Sequence, residues 1–461
     1  MSIKQKPEPL TTPKPRDPSS TLKVVIIGAG LGGLGSAISI LLAGHKVTIL
    51  ESARCIGEVG AGIQCLPNST RILRSWDIHG NLLSKASQTE TCNILSWKGE
   101  HISNMDFAAA GIEYGAPFND FHRADLHAVL YDRAVELGAE IWTNSEVTDI
   151  EFHDCEHDEI NSATVRIKNQ ESQTADLVIG ADGINSRTRE ILLGRKEAPH
   201  RTGDMAYRIL LDAKDVRRDP DLVRFLDEKS VNYWYGPGAH VVTYPLRNAT
   251  KLNLVLLVPD NMPEEGPSTL QGYVEEMKSL FAEWDPKIGK LLSLCPSVLR
   301  WRLCIRNPLS SWVHESQSFA LLGDAAHATL PYLASGAGIT FEDAAVLGEC
   351  LSRIRSRSKS ERAKALAVYE KCRKARTEAV VSRGSIQQDL NHLEDGSEQE
   401  DRDKKMRAFE MVEREFLNNK GPLPDGLVQG EDPLVWRRFG VGEWLFGYDV
   451  WGDVEEKWSL L

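Results

Sequence analysis

Apolar positions along this chain fall into short continuous runs and longer helical stripes, and the two alternate from the start. Lys23-Val24-Val25-Ile26-Ile27 is a β-branched run ending in glycines, the pattern of a strand buried on both faces of a parallel sheet. Leu34 to Ala43 reads as a helix stopped by Gly44-His45, and Lys46 to Glu51 as the next strand, which completes a βαβ unit. From Ala124 to Gly138 the residues Leu126, Val129, Leu130, Ala134 and Leu137 recur at three- and four-residue steps, one apolar helix face. Several strand-like runs follow from Glu140 to Ile179, with Glu151 to Asn161 as a charged hairpin tip.

Tyr207 to Leu211, Val231 to Tyr235, His240 to Tyr244 and Leu252 to Leu257 are separated by turn signals and predict a β-rich middle region, taken as a substrate-facing sheet. Phe319 to Leu322 returns to the buried-strand pattern. Ile339 to Ile354 predicts a helix, and a longer one runs from Ser360 into the 380s. Asp389 to Lys405 is dense in charge and poor in apolar residues, the composition of an exposed loop or a solvated helix face. The aromatic residues after it (Trp436, Phe439, Trp444, Phe446, Tyr448, Trp451, Trp458) suit a dimer surface, a lid, or core for the last helices, core being the commonest outcome.

A chain of 461 residues exceeds one hydrophobic core, so two or three structural units are expected. The net charge of −12 argues against a general nucleic-acid or anionic-membrane surface. No run approaches the roughly twenty apolar residues needed to span a bilayer, and the Pro- and Lys-containing lead before Thr21 has no apolar stretch, so neither a signal peptide nor an anchor is expected. The eight cysteines form no C-x-x-C pair and no metal-ligand spacing. They read as buried small hydrophobes of a reducing compartment, and a cytoplasmic location is expected, with no metal site.

Three signatures carry the candidate chemistry. In Gly28-Ala29-Gly30-Leu31-Gly32-Gly33, Gly28 permits a tight turn, Gly30 lets backbone approach a pyrophosphate, and Gly33 lets helix and strand pack closely. The helix that follows offers free N–H groups and the positive end of its dipole. Glu51, eighteen residues beyond Gly33 at a strand end, suits both ribose hydroxyls and disfavours a 2′-phosphate, so FAD or NAD is preferred over NADP. In Asp176 to Gly183 and Leu321 to His327, Asp182 and Asp324 stand at the carboxyl ends of buried strands, where open α/β sheets bind ligands. Asp-Gly is also an ordinary turn pair. Pro331 to Gly338 then runs into the Ile339 helix, its small residues suited to backbone lying flat against a planar ring. Arg123 opens a helix whose start favours an acid, which suggests an external anion beside it.

With these motifs the chain resembles the flavoprotein aromatic hydroxylases with one dinucleotide-binding domain, group A flavin monooxygenases, and within them the salicylate-hydroxylase-like branch. The resemblance covers roughly Lys23 to Ile354, and Gly60 to Gln64, Leu66-Pro67-Asn68 and Tyr244-Pro245-Leu246 also fit that branch. It implies an α/β fold: a Rossmann-type, glutathione-reductase-like FAD-binding domain with an inserted, mainly antiparallel substrate domain and a helical C-terminal region. The implied division is a flexible tail over 1–20, FAD-binding segments 21–90, 119–195 and 296–350, substrate segments 91–118 and 196–295, and a helical region over 351–461 with a charged loop near 389–405.

The same resemblance implies that Glu51 holds the adenosine ribose, that Gly62 and Arg123 contact FAD, and that Asp324, Ala337 and Gly338 hold the ribityl chain and ring. It assigns Asp182 to a motif for FAD and pyridine-nucleotide handling. Arg208 would position a phenolic substrate, assisted by a tyrosine, most plausibly Tyr235. The family's Gly-Gln-Gly step is replaced here by Ala334-Ser335-Gly336-Ala337-Gly338, so backbone contact with the ring survives and a glutamine side-chain role does not. The implied activity is hydroxylation of a phenolic acid by NADH or NADPH and O2 through a flavin C4a-hydroperoxide, with a homodimer possible. Oxygenation of an alkene or indole in a natural-product pathway is the alternative within enzymes. A carrier like the GDP-dissociation inhibitors is the alternative of another class, which the set Glu51, Arg123 and Asp324 argues against.

Overall fold

A computed structural model of the chain describes residues 11–57, 61–153, 162–419 and 430–461. Residues 1–10 of the expected tail, Gly60, and most of the expected hairpin tip with Cys155 lie outside the described residues.

The first βαβ unit forms as its hydrophobic pattern dictates. Strands Lys23–Ile27 and Lys46–Leu50 pair in parallel, joined by the helix Leu31–Leu42. Leu177–Gly180 adds to the other edge of Lys23–Ile27, and Phe319–Leu321 adds beyond it. With Glu140–Trp142 they make a five-stranded parallel sheet. Helices Leu31–Leu42, Arg123–Glu136 and Gly336–Ser352 share one hydrophobic core with these strands. Gly348 permits the close crossing of two of them, since a Cβ there would lie 2.8 Å from the Ser39 carbonyl oxygen.

An eight-stranded sheet stands beside this unit. Its order is Thr269–Gly272, Val298–Ile305, His200–Asp212, Lys251–Pro259, Ala239–Leu246, Ser230–Gly236, Thr91–Ser96, His101–Asp106. All its pairings are antiparallel except Ser230–Gly236 with Thr91–Ser96. The strand Val298–Ile305 pairs along His200–Asp212, so this sheet takes in residues beyond 295. Period-two alternation splits its side chains between two cores: Ala206, Tyr233, Tyr235 and Tyr244 on one face, Met205, Tyr207 and Trp234 on the other.

The charged stretch from Asp389 to Lys405 is mostly exposed, as its composition predicts, with Asn391, Arg402 and Asp403 buried within it. Residues 389–391 end the helix Lys359–Asn391, and Ser397–Asn419 is a second helix. Past the charged stretch this second helix docks on the sheet edge, where Met406 and Phe409 are buried and Glu410 accepts from the Ser103 hydroxyl and the Asn104 amide. The aromatic tail divides. Trp436 and Phe446 are core, with the Trp436 indole donating to the Leu333 carbonyl, whereas Trp444 is exposed. Of the described cysteines, Cys65, Cys92, Cys295, Cys350 and Cys372 are buried, Cys304 is intermediate and Cys55 is exposed, against the expectation of burial. Among the described residues no helix is long and apolar enough to cross a membrane.

Candidate active site

Two contiguous hollows meet at the carboxyl ends of the parallel strands. One is a groove of about 560 Å³ over Gly28, Gly30, Glu51, Asp182 and Gly183. The other is a cavity of about 310 Å³ between the glycine turn and the eight-stranded sheet, walled by Gly62, Arg123, Arg208, Tyr233, His240, Tyr244, Asp324, Gly336 and Ala337. Gly30, Ala181 and Gly183 belong to both walls.

The glycine turn is set by close backbone packing. Gly28 has φ +102°, and a Cβ there would lie 2.5 Å from the Ala181 carbonyl oxygen. A Cβ at Gly33 would lie 1.9 Å from the Gly28 oxygen, whereas one at Gly30 would meet nothing within 4 Å. Gly28 and Gly33 thus serve the packing, and Gly30 leaves the groove clear for an approaching ligand. Gly30 caps the helix Leu31–Leu42 without a side-chain hydrogen bond, the kind of helix start at which free amides can meet an anion. The Glu51 carboxylate accepts from the Ala29 amide at 2.8 Å and the Ala53 amide at 2.7 Å, fixing the turn to the end of the second strand.

Asp182 lies on the groove, but its oxygens are engaged locally. They accept from the Ser186 hydroxyl at 2.6 Å, the Thr188 amide at 2.9 Å and the Thr188 hydroxyl at 2.7 Å, which holds the turn before the helix Arg187–Leu193. Asp324 differs. It is open to the cavity, and the protein around it raises its carboxyl pKa by desolvation, opposed by His327 and Arg123. The turn that presents it is held from behind: the Gly323 amide donates to Asp343 at 3.1 Å, and His327 Nε2 lies 2.5 Å from the same oxygen. Arg373 pairs with Asp343 at 2.7 Å and with Glu342 at 2.8 Å, and Arg376 pairs with Glu342 at 2.8 Å. Burial opposes the Glu342 charge, yet these two guanidinium groups and the Asn68 amide hold its pKa down to about 2. Sequence reasoning missed this ion-pair layer, whose only signal was arginines on an otherwise apolar helix face.

On the ring side, Gly336 and Ala337 line the cavity at a helix start without a side-chain cap. Gly338 faces inward, where a Cβ would touch Asn68 and Ser69 at about 3.5 Å. Gly62 donates its amide to Asn253 and lies so close to the Tyr244 ring that a Cβ there would fall 2.5 Å from it.

Arg208 reaches the opposite wall from the strand His200–Asp212. Its guanidinium sits 4.8 Å from the Trp301 ring and its Nε is buried without a hydrogen-bond partner. Burial and the neighbouring Arg123 charge both push its pKa down, while Tyr244 opposes them. Tyr235 does not reach the cavity. It is fully buried on the same sheet face as Tyr233, against His240 and the Arg402 guanidinium. The wall tyrosines are Tyr233 and Tyr244, two residues along or one strand over, and pleat alternation alone does not tell 233 from 235. Gln64 and His240 also line the cavity without having been singled out; Gln64 donates to the buried Asp120 at 3.0 Å.

A glycine turn clear at Gly30, two uncapped helix starts and an acidic strand-end residue fit a dinucleotide that ends in a planar ring. Comparison with known proteins agrees. The model of the FAD binding domain family matches residues 21–384. The FAD-dependent monooxygenase OpS4 of Beauveria bassiana (strain ARSEF 2860) is 39% identical over 93% of this chain and 95% of its own. The 3-hydroxybenzoate 6-hydroxylase of Klebsiella oxytoca is 33% identical over 79% and 87%. Among solved structures, a salicylate hydroxylase substrate complex shares the fold with a TM-score of 0.74 at 22% identity, covering 95% of this chain and 98% of that one. The chain belongs to the FAD binding domain family and is an FAD-dependent enzyme of the group A aromatic-hydroxylase type.

Proposed function

We propose that this enzyme hydroxylates a phenolic acid, using NADH or NADPH and O2. FAD, when bound, supplies the redox and oxygen-transfer chemistry; the protein binds, orients and shields. Gly28, Gly30, Gly33 and Glu51 would hold the adenosine diphosphate half. Asp324 and the backbone at Gly336 and Ala337 would hold the ribityl chain and ring, and Gly62 and Arg123 would lie along the cofactor. Asp182, its carboxylate already spent on the Ser186–Thr188 turn, would act by shaping the groove rather than by direct contact.

The observation that carries the substrate reading is Arg208, a cation on the cavity wall whose Nε has no protein partner. A phenolate or carboxylate beside it satisfies that donor and lowers the substrate's own pKa, and a phenolate is the better nucleophile toward an electrophilic oxygen. Tyr233 and Tyr244 supply aromatic wall and hydroxyls next to it. Val242, Val255 and Leu257 give the cavity an apolar wall, which would keep water from the reacting atoms. The name of the 3-hydroxybenzoate 6-hydroxylase relative supports a phenolic acid, whereas the more similar OpS4 relative, 39% identical over 93% of this chain, is named only as an FAD-dependent monooxygenase and leaves alkene or indole oxygenation as the second reading. NADH and NADPH oxidation by the FAD-loaded protein against a panel of phenolic acids tests this. Substrate-stimulated oxidation with a hydroxylated product is expected; stimulation by indoles or alkenes alone would transfer the weight to the second reading.

A further inference from the structure

Behind the cavity wall, on the side of Gly62, stands a buried carboxylate that the reading above does not use. Strands Gly62–Cys65, Phe118–His122 and Ser87–Thr89 form a small antiparallel sheet with Phe118–His122 in the middle. Gln64 and Ser87 lie directly across from Asp120 on either side, so the three side chains share one face of that sheet. Asp120 is 1% exposed, and among the described residues no arginine, lysine or histidine pairs with it. Neutral donors meet its oxygens instead, the Thr89 hydroxyl on one and the Gln64 amide, at 3.0 Å, on the other. Burying a carboxylate without a counter-ion costs stability. Burial pushes this one's pKa up to about 7, against the pull of the same two donors. A cost of that kind is expected where it serves a site.

Gln64 is the member of this row that reaches the cavity. An ionised carboxylate only accepts hydrogen bonds, so the Gln64 NH2 faces Asp120 and the carbonyl oxygen Oε1 faces away from it. Tyr233, also on the cavity wall, donates to Oε1 over 3.4 Å, a long bond that leaves the oxygen a lone pair for another donor. A glutamine without such an anchor could present either end of its amide. Here the polarity of the wall is set: a cation at Arg208, on the strand His200–Asp212, and an acceptor at Gln64, on a different sheet. An acid group suits the first, and an O–H or N–H suits the second.

Resting on the phenolic-acid reading above, we infer that Gln64 is a specificity-determining residue, held by Asp120 with its carbonyl oxygen toward the substrate, and that it selects ring substituents carrying an O–H or N–H. The substrate class is a hydroxy- or aminobenzoate whose carboxylate lies at Arg208 and whose ring substituent donates to Gln64 Oε1. An ether or halogen at the same ring position offers no proton and leaves Oε1 desolvated without that bond. Asp120 touches no substrate and acts through Gln64 as a positioning residue.

The test uses FAD-loaded full-length protein near pH 8, where Asp120 is ionised. Dissociation constants of 3- and 4-hydroxybenzoate and 3- and 4-aminobenzoate are read from the perturbed flavin spectrum, each beside the methoxybenzoate of the same ring position, with benzoate as reference. The wild type should favour the donor-bearing ligand at one ring position by about tenfold, as one net hydrogen bond provides. Gln64→Met keeps the side-chain length, removes the acceptor, and should bring that ratio below about threefold while benzoate binding changes little. Asp120→Asn, whose amide can itself donate, lets the Gln64 amide turn over and should shrink the ratio with flavin content unchanged; Gln64→Met decides alone if Asp120→Asn does not fold. A ratio that stays near tenfold in Gln64→Met comes from the bulk of the methoxy group and overturns the inference, as does a wild type without preference. Equal losses of benzoate and hydroxybenzoate binding in Gln64→Met make Gln64 a structural residue and overturn it too. If hydroxybenzoates are hydroxylated and the ratio does not depend on Gln64, this assignment fails alone. If no phenolic acid perturbs the flavin or stimulates NADH or NADPH oxidation in the wild type, the phenolic reading fails and this role of Gln64 with it.

Discussion

Replacing Arg208 with methionine separates a substrate-binding cation from a structural one. The change keeps the apolar stem and removes the charge. Arg208 Nε has no partner, Arg123 repels the guanidinium, and against this stand the Trp301 ring at 4.8 Å and the neighbouring Tyr244. Losing the Trp301 contact costs about 1 kcal/mol, and releasing a buried unsatisfied donor returns about 1–3 kcal/mol. Folding stability should therefore stay level or rise. Function should not. An anionic oxygen about 4 Å from the guanidinium gains roughly 4 kcal/mol at an effective dielectric of 20, of which about 2–3 kcal/mol survives desolvation, a fall of about 30- to 150-fold in kcat/KM. The assay is phenolic-acid-stimulated NADH or NADPH oxidation beside thermal unfolding and flavin content. A melting temperature many degrees lower with unchanged kcat/KM would refute the reasoning, because it would make Arg208 a structural cation.

Other substitutions probe the same account. Gly33→Ala forces a Cβ onto the Gly28 oxygen and should lower both flavin content and stability, whereas Gly30→Ala, whose Cβ meets no protein atom, should leave the apo melting point unchanged and weaken FAD binding; visible absorbance and calorimetry read both. Glu342→Gln leaves Arg376 without its carboxylate and Arg373 with Asp343 alone, and should cost about 3–5 kcal/mol in denaturant titration. Glu342 has its folded pKa depressed to about 2, so its contribution is full above the ordinary value near 4.5 and is lost as pH falls from there toward 2. The wild type should lose about 3 kcal/mol more than E342Q across that window. Tyr235→Phe should leave kcat unchanged because that residue is off the cavity wall, while Tyr233→Phe, which removes the hydroxyl donated to Gln64, should lower it severalfold in steady-state assays.

The nucleotide half of the site was legible because its chemistry is local. Glycines at fixed spacing, a β-branched run before them and an acid at the next strand end each act through backbone within a few residues, so Gly28, Gly33 and Glu51 could be read one by one. The substrate half is assembled by pairing between strands distant in sequence. The strands 230–246 are buried on both faces, so no polar alternation marks which side chains face the cavity, and Tyr235 was preferred where Tyr233 lines the wall. Charge at Asp389 to Lys405 marked a mostly exposed span, but composition does not reveal that just beyond it Met406, Phe409 and the Glu410 carboxylate dock the same helix on a sheet edge.

The central claim is that this protein places one oxygen atom from O2 on an aromatic ring. Turnover of the FAD-loaded enzyme under 18O2 with a phenolic acid that stimulates NADH or NADPH oxidation, followed by mass spectrometry, tests it most directly. One 18O in the new ring hydroxyl is the result predicted. Consumption of 18O2 that yields only hydrogen peroxide, or a product hydroxyl labelled from water, would contradict it.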